Sequence, residues 1–233
     1  MSTKELEPIE PMGAFFDARA AGYDDHMRDN IYVDDTFVPF YRAISLPIRE
    51  TAEPLAILDL GCGTGLEIEF LLSRVPNARI TGIDLSENML ELLRSRYAAH
   101  MGQITLVMDS YLTVPFGTQM YDHVISAMSI HHILRDTKLE LYRKIHAALK
   151  PGGKYVEGDS VVFAETESQC LAEYYAYTAD MPDAQDGQYH IDVPFTLERQ
   201  QAVLLEAGFK DYQLVWQRDP NVDWNFAVYA VAK

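Results

Sequence analysis

Short apolar runs and helical stripes alternate through the middle of the chain. Leu55–Leu60 (LAILDL) is an apolar run ended by glycines, the pattern of a buried strand. Leu66–Arg74 carries apolar residues at helical spacing, and Arg79–Asp84 reads as a second strand. Ser86–Ala99 reads as a helix, with Ser86 as N-cap, Glu87 in the first turn and arginines towards the end. Gln103–Met108 and His123–Ala127 are a third and a fourth strand. Thr137–Leu149 is a helix stopped by Pro151-Gly152-Gly153, and Lys154–Glu157 begins a fifth strand. Such alternation predicts an α/β fold with a mostly parallel sheet and helices on both faces. Ligands of such sheets bind beyond the carboxyl ends of the strands, where strand order reverses.

Outside this block, residues 12–52 read as helical, with Phe15, Phe16, Tyr23, Met27, Phe37, Phe40 and Tyr41 as apolar members. Residues 165–180 form another helix, followed by the turn-rich stretch MPDAQDGQYHIDVP. Thr196–Ala207 is a helix closed by Gly208, and Tyr212–Trp216 and Asn225–Ala232 form a hairpin at the sheet edge.

The composition is that of an ordinary globular protein, but the net charge is −16 over 233 residues. That charge is uneven. Residues 55–156 carry 10 acids and 10 bases, whereas residues 157–192 carry 9 acids and no Lys or Arg. Nucleic-acid binding draws on phosphate neutralisation by basic residues, so nucleic acid and acidic membrane surfaces are disfavoured partners. No segment has the apolar length of a membrane span, and the start MSTKELEPIEPMG lacks leader character. Two cysteines, Cys62 and Cys170, are too few for a disulfide scaffold or a structural zinc site. A cytoplasmic protein with reduced thiols and no metal is expected.

The first strand runs into Asp59-Leu60-Gly61-Cys62-Gly63-Thr64-Gly65 and then a helix. Alternate glycines permit positive φ and let a ligand lie against bare backbone. No Gly-Lys-Ser/Thr follows, so this is not a Walker loop. Asp84 ends the second strand 19 residues after Gly65, where a carboxylate can accept both hydroxyls of a ribose. Together the two motifs predict a nucleoside site. Asp109, after the third strand, is either an acceptor for an exocyclic adenine amine or a cap of its own turn.

These residues closely resemble the class I S-adenosylmethionine (SAM)-dependent methyltransferases. The resemblance lies in ILDLGCGTG (57–65), GIDLSENML (82–90), VMDSYLTVPF (107–116), YDHVISAMSIHHI (121–133) and LKPGGKYVEGD (149–159). It implies a Rossmann-like, seven-stranded, mostly parallel sheet with an antiparallel terminal strand, with SAM as cofactor and S-adenosylhomocysteine as product. It implies that Gly61, Cys62, Gly63 and Gly65 pass beside the methionine part of SAM, with Asp59 supporting the loop and reaching the amino group through water. Asp84 would hold the ribose hydroxyls, Leu85 and Met89 would pack on the adenine, and Asp109 and Ser110 would lie at its edge. Ala127 and Met128 would sit near the sulfonium. FFDARAAGYDDHM resembles the helical cap of small-molecule members, with Tyr23 and Arg19 as cofactor contacts, or it is an amphipathic helix packing on the sheet.

The resemblance divides the chain into a cap over residues 1–54 and a SAM-binding domain over 55–233, with 157–195 as an acceptor lid. A general base is needed only if the acceptor arrives protonated. His132 and His131, just past the fourth strand, are the candidates. Glu157, Asp159, Tyr174, Tyr175, Tyr189 and His190 are candidates for the acceptor side. Acids beside aromatic faces in the lid suit a cationic, amine-like acceptor, or else form a solvated helix face. The expected function is methyl transfer to a small molecule by a monomer or homodimer. A weaker likeness of FTLERQQAVLLEAGFKDYQLVWQ to enzymes of wobble-uridine modification of transfer RNA, including carboxy-SAM synthase, leaves that alternative open. A SAM-binding sensor without turnover is another.

Overall fold

The computed structural model describes residues 9–31 and 35–233; the expectations for Met1–Pro8 and residues 32–34 lie outside the described residues. The first helices are α1 (Met12–Arg19), α2 (Tyr23–His26) and α3 (Phe37–Ser45). Next come β1 (Ala56–Leu60), α4 (Ile68–Arg74), β2 (Arg79–Asp84), α5 (Glu87–Arg96) and β3 (Ile104–Met108). They are followed by β4 (Tyr121–Ala127), α6 (Arg135–Ala148) and β5 (Leu149–Val161). The chain ends with α7 (Ala164–Thr178), α8 (Leu197–Glu206), β6 (Lys210–Gln217) and β7 (Asn225–Ala232).

All seven strands form one sheet in the order β3-β2-β1-β4-β5-β7-β6. β1 to β5 pair in parallel, and β7 is antiparallel to both of its neighbours. The expected hairpin is present, with β6 taking the edge. The sequence explains that order: NFAVYAVA is apolar and buried almost throughout, whereas KDYQLVWQ is half-exposed.

Alternation along β1 splits the core in two. Ile57 packs with α3, α4 and α5 on one face; Leu58 and Leu60 pack with α6 and α8 on the other. α5 starts as predicted, its Ser86 Oγ accepting from the Met89 N–H at 3.1 Å. The Pro151-Gly152-Gly153 stop behaves differently from the prediction. α6 ends at Ala148, and Leu149 already pairs with Tyr121, so the turn residues make an irregularity within β5. Gly153 is required there, because a Cβ would lie 2.7 Å from the Asp122 carbonyl.

Strand order reverses between β1 and β4, and a roof covers that point. The Met12 N–H donates to the Gln188 carbonyl, the His190 N–H to the Glu10 carbonyl, and the Val193 N–H to the His131 carbonyl. The first helix and the segment after α7 are thereby joined to each other and to the loop after β4. Among the described residues, no helix is long and apolar enough to cross a membrane.

Candidate functional site

The loop after β1 is held by backbone geometry that only its glycines permit. Gly61, Gly63 and Gly65 all have positive φ, at 68°, 47° and 76°. A Cβ on Gly61 would lie 2.0 Å from Ser129 Oγ, so the loops after β1 and β4 meet without room for a side chain. The Gly61 and Cys62 N–H groups both donate to the Ile83 carbonyl. The Gly63 N–H donates to Asp84 Oδ2 at 2.8 Å, and the Ser86 N–H to Asp84 Oδ1 at 2.9 Å. Burial raises the Asp84 pKa, partly offset by these backbone donors.

Above this loop lies a narrow cavity of about 60 Å³. Gly61, Gly63, Asp84, Leu85, Met89 and Ser110 line one side of it, together with Ala127 and Met128. Met12 and Phe16 of α1 and Tyr23 of α2 line it as well. Met128 adopts a left-handed φ of 50°, with its N–H donating to the Gly158 carbonyl. A non-glycine residue in that region stores strain and turns its side chain onto the site.

Beneath the loop are two buried acids. Asp59 is fully buried, and neither of its carboxylate oxygens has a hydrogen-bond partner. Burial and the neighbouring Glu67 raise its pKa well above the usual carboxylate range. Burial likewise pushes Glu67 up to about 7. Unsatisfied carboxyl oxygens beside a bare-backbone loop suit a cationic amino group or a bridging water. The Cys62 thiol packs over Gly82, where a Cβ would come within 2.7 Å of its sulfur.

A second cavity of about 1010 Å³ adjoins the first, and Phe16, Tyr23, Met128 and His132 line both. Its walls include the aromatic Phe15, Trp224 and Phe226, the basic Arg19 and Arg218, and the polar Ser160, His131, His190 and Asp192. His131 Nδ1 lies 2.5 Å from Asp159 Oδ1, and Asp159 Oδ2 accepts from the Ile130 N–H at 2.9 Å. Burial alone would lower the His131 pKa, but Asp159 and Asp192 outweigh it and raise it. Burial and the adjacent His131 lower that of His132. Burial and His132 push His190 down to about 4, and its ring stacks on Phe15 at 3.5 Å.

Some expected residues lie elsewhere. Asp109 is exposed at the rim and turned back on its own loop, accepting from the Ser110 N–H at 2.7 Å. Arg19 faces the second cavity and pairs with Glu10 at 2.7 Å rather than entering the first. Glu157 points to the opposite face of the sheet from the cavities, where Tyr142, Tyr155 and Tyr229 donate to it. Tyr174 packs with Ile191 and Val193 and binds Asp186, Tyr175 is exposed, and Tyr189 bridges to Pro11; none of the three lines either of these two cavities. Of the acids in 157–192, Asp192 alone lines the second cavity among the described residues. Glu167 is paired with Arg199, and Asp186 accepts from the Leu134 N–H. Sequence reasoning passed over Glu67, Tyr111, Ser129 and Asp192; the spacing of Glu67 eight residues after Asp59 offered the one usable signal.

Comparison with known proteins agrees with this geometry. A family model described as a methyltransferase domain matches residues 57–153. The carboxy-S-adenosyl-L-methionine synthase of Wolinella succinogenes is 26% identical over 238 residues, covering 94% of this chain and 92% of that protein. The demethylmenaquinone methyltransferase of Symbiobacterium thermophilum is 34% identical over 105 residues, 43% of this chain and 40% of that protein. The phosphoethanolamine N-methyltransferase 2 of Haemonchus contortus, solved with S-adenosylhomocysteine, shares the fold with a TM-score of 0.69 at 19% identity. That match covers 97% of this chain and 61% of that one. Residues 57–153 thus match a methyltransferase domain, and the reversal of strand order and the glycine loop tied to Asp84 agree with that match.

Proposed function

We propose that the protein methylates a small molecule bound in the second cavity, with SAM in the first. The shared wall of Phe16, Tyr23, Met128 and His132 carries this reading, because it is where the two compartments meet. Bound SAM supplies a methyl carbon already activated by a positive sulfur, so catalysis rests on alignment and exclusion of water. Asp84 would hold the ribose hydroxyls, Leu85 and Met89 the adenine faces, and Ser110 the adenine edge. Gly61, Gly63 and Gly65 would pass along the methionine part, whose ammonium would answer the unpartnered Asp59 oxygens. Within the cap over 1–54 and the lid over 157–195, α1, α2 and the segment after α7 would seal both cavities from bulk water. His132, lining both cavities, would take a proton from an acceptor that arrives protonated.

The amine-like acceptor expected from the acidic lid has Asp192 as its remaining support, in a cavity that Arg19 and Arg218 also line. Those arginines favour a second reading, transfer involving a small carboxylate, as the name of the Wolinella succinogenes relative suggests. A panel of phenols, amines and carboxylic acids assayed with methyl-labelled SAM decides between them. Label on a small molecule supports the proposal, and label on amines alone supports the cationic form. A carboxylated SAM product seen by mass spectrometry, with no labelled acceptor, would replace it with the second reading.

A further inference from the structure

The wall of the second cavity contains a group of side chains that methyl transfer does not itself require. One donor atom each of His131, His132 and Asp192 lies within 4.8 Å of the other two. Asp192 Oδ1 is 3.0 Å from His132 Nδ1 and 3.6 Å from His131 Nε2. Ligands held about 2.0–2.1 Å from a tetrahedral ion stand about 3.3 Å apart, so these two separations bracket the edge of a coordination polyhedron.

The hydrogen bonding is that of ligands rather than of a closed network. His131 Nδ1 is engaged by Asp159 at 2.5 Å, which places a proton on that nitrogen and leaves Nε2, facing Asp192, as the nitrogen that would give up its proton to bind an ion. A carboxylate behind the imidazole is the usual support of a metal-bound histidine. Asp159 is itself fixed by the Ile130 and Ser160 N–H groups. Asp192 Oδ1 is buried, yet it makes no hydrogen bond of good geometry with either imidazole. The Ile191 carbonyl, 3.4 Å from His132 Nδ1, is a weak competitor at that distance.

We propose that His131 Nε2, His132 Nδ1 and Asp192 Oδ1 bind one divalent transition-metal ion of the zinc or cobalt(II) class. Two imidazoles and one carboxylate suit such ions better than magnesium or calcium, which prefer oxygen donors. Three protein ligands leave coordination positions open towards the cavity, the arrangement of reactive rather than structural sites. No metal was expected from the sequence because two cysteines are too few for a structural zinc site; Asp192 lies 60 residues beyond His132. The role of the ion rests on the proposed function: the open positions would take an oxygen or nitrogen of the acceptor and hold it beside Met128. His132 would then serve as a ligand instead of a proton acceptor.

The test uses the full chain, stripped with a chelator and titrated with cobalt(II) followed by visible absorption, and with zinc followed by calorimetry. One equivalent should bind, with cobalt(II) ligand-field bands in the visible. Asp192→Asn and His131→Ala should each weaken binding at least tenfold, and Asp159→Asn should weaken it 10- to 100-fold through the support of His131. S-adenosylhomocysteine affinity and far-ultraviolet circular dichroism, measured on each variant, establish that it remains folded. Absence of stoichiometric binding, or equal affinity in folded Asp192→Asn, overturns the site while leaving the methyltransferase reading intact. Ion binding with no methyl transfer to any panel molecule, with or without added ion, upholds the site and overturns that reading instead.

Discussion

The Gly63 N–H donates to Asp84 Oδ2 at 2.8 Å, so the acid that ends β2 also anchors the loop after β1. Loop anchoring and the proposed ribose contact therefore fall on one side chain. Asp84→Ala removes both, and S-adenosylhomocysteine binding should weaken by about 1–3 kcal/mol. Calorimetry reads this directly, and near-normal affinity would remove Asp84 from the cofactor site.

Gly61 and Gly63 differ in a way that two variants expose. Gly61→Ala drives a methyl group to within 2.0 Å of Ser129 Oγ on a left-handed backbone. Gly63→Ala meets nothing within 4 Å and bears only the backbone penalty of about 1–2 kcal/mol. Thermal unfolding should show a larger loss for Gly61→Ala, with cofactor binding abolished in that variant first.

The Asp59–Glu67 pair gives the empty protein a pH signature. Both carboxyls have raised pKa values, Glu67 to about 7. A raised carboxyl pKa contributes stability in full below the unfolded value of about 4.3. That contribution is lost as pH rises through about 7. The melting temperature of Glu67→Gln should therefore vary less between pH 5 and 8 than that of the wild type. Parallel curves for the two proteins would contradict the buried, protonated pair.

α1 is latched to the start of α5 by Asp17, whose Oδ1 accepts from Ser86 Oγ at 2.5 Å and from the Asn88 N–H at 3.2 Å. A second latch joins Asp24 to Thr64 Oγ1 at 2.6 Å and to Arg96. Met12, Phe16 and Tyr23 line the first cavity beside these contacts, so loosening α1 and α2 should affect cofactor binding there. Asp17→Ala should speed proteolysis within residues 9–31 and weaken S-adenosylhomocysteine by about 1 kcal/mol, roughly fivefold. Unchanged proteolysis would show that α1 is held by its other contacts.

Sheet and loop were legible in the sequence because their signals are local. LAILDL followed by alternate glycines marks β1 and its turn, and Ser86 marks the start of α5, within a few residues of the observed positions. Pro151-Gly152-Gly153 misled slightly, since pairing of Leu149 with Tyr121 overrode the local stop. The second cavity was less legible. His131 meets Asp159 across 28 residues, and Asp192 reaches the histidines from a stretch readable only as turns. The nine acids of 157–192 gave a true composition but no direction, and burial turned Glu157 away while Arg199 engaged Glu167.

The central claim is that cofactor and acceptor occupy adjoining cavities with Met128 between them. A crystal structure of the protein with S-adenosylhomocysteine tests it most directly. The account predicts ribose hydroxyls on Asp84 and the sulfur beside Met128, facing the cavity lined by His132. Ribose density away from Asp84, or a sulfur directed away from that cavity, would contradict it.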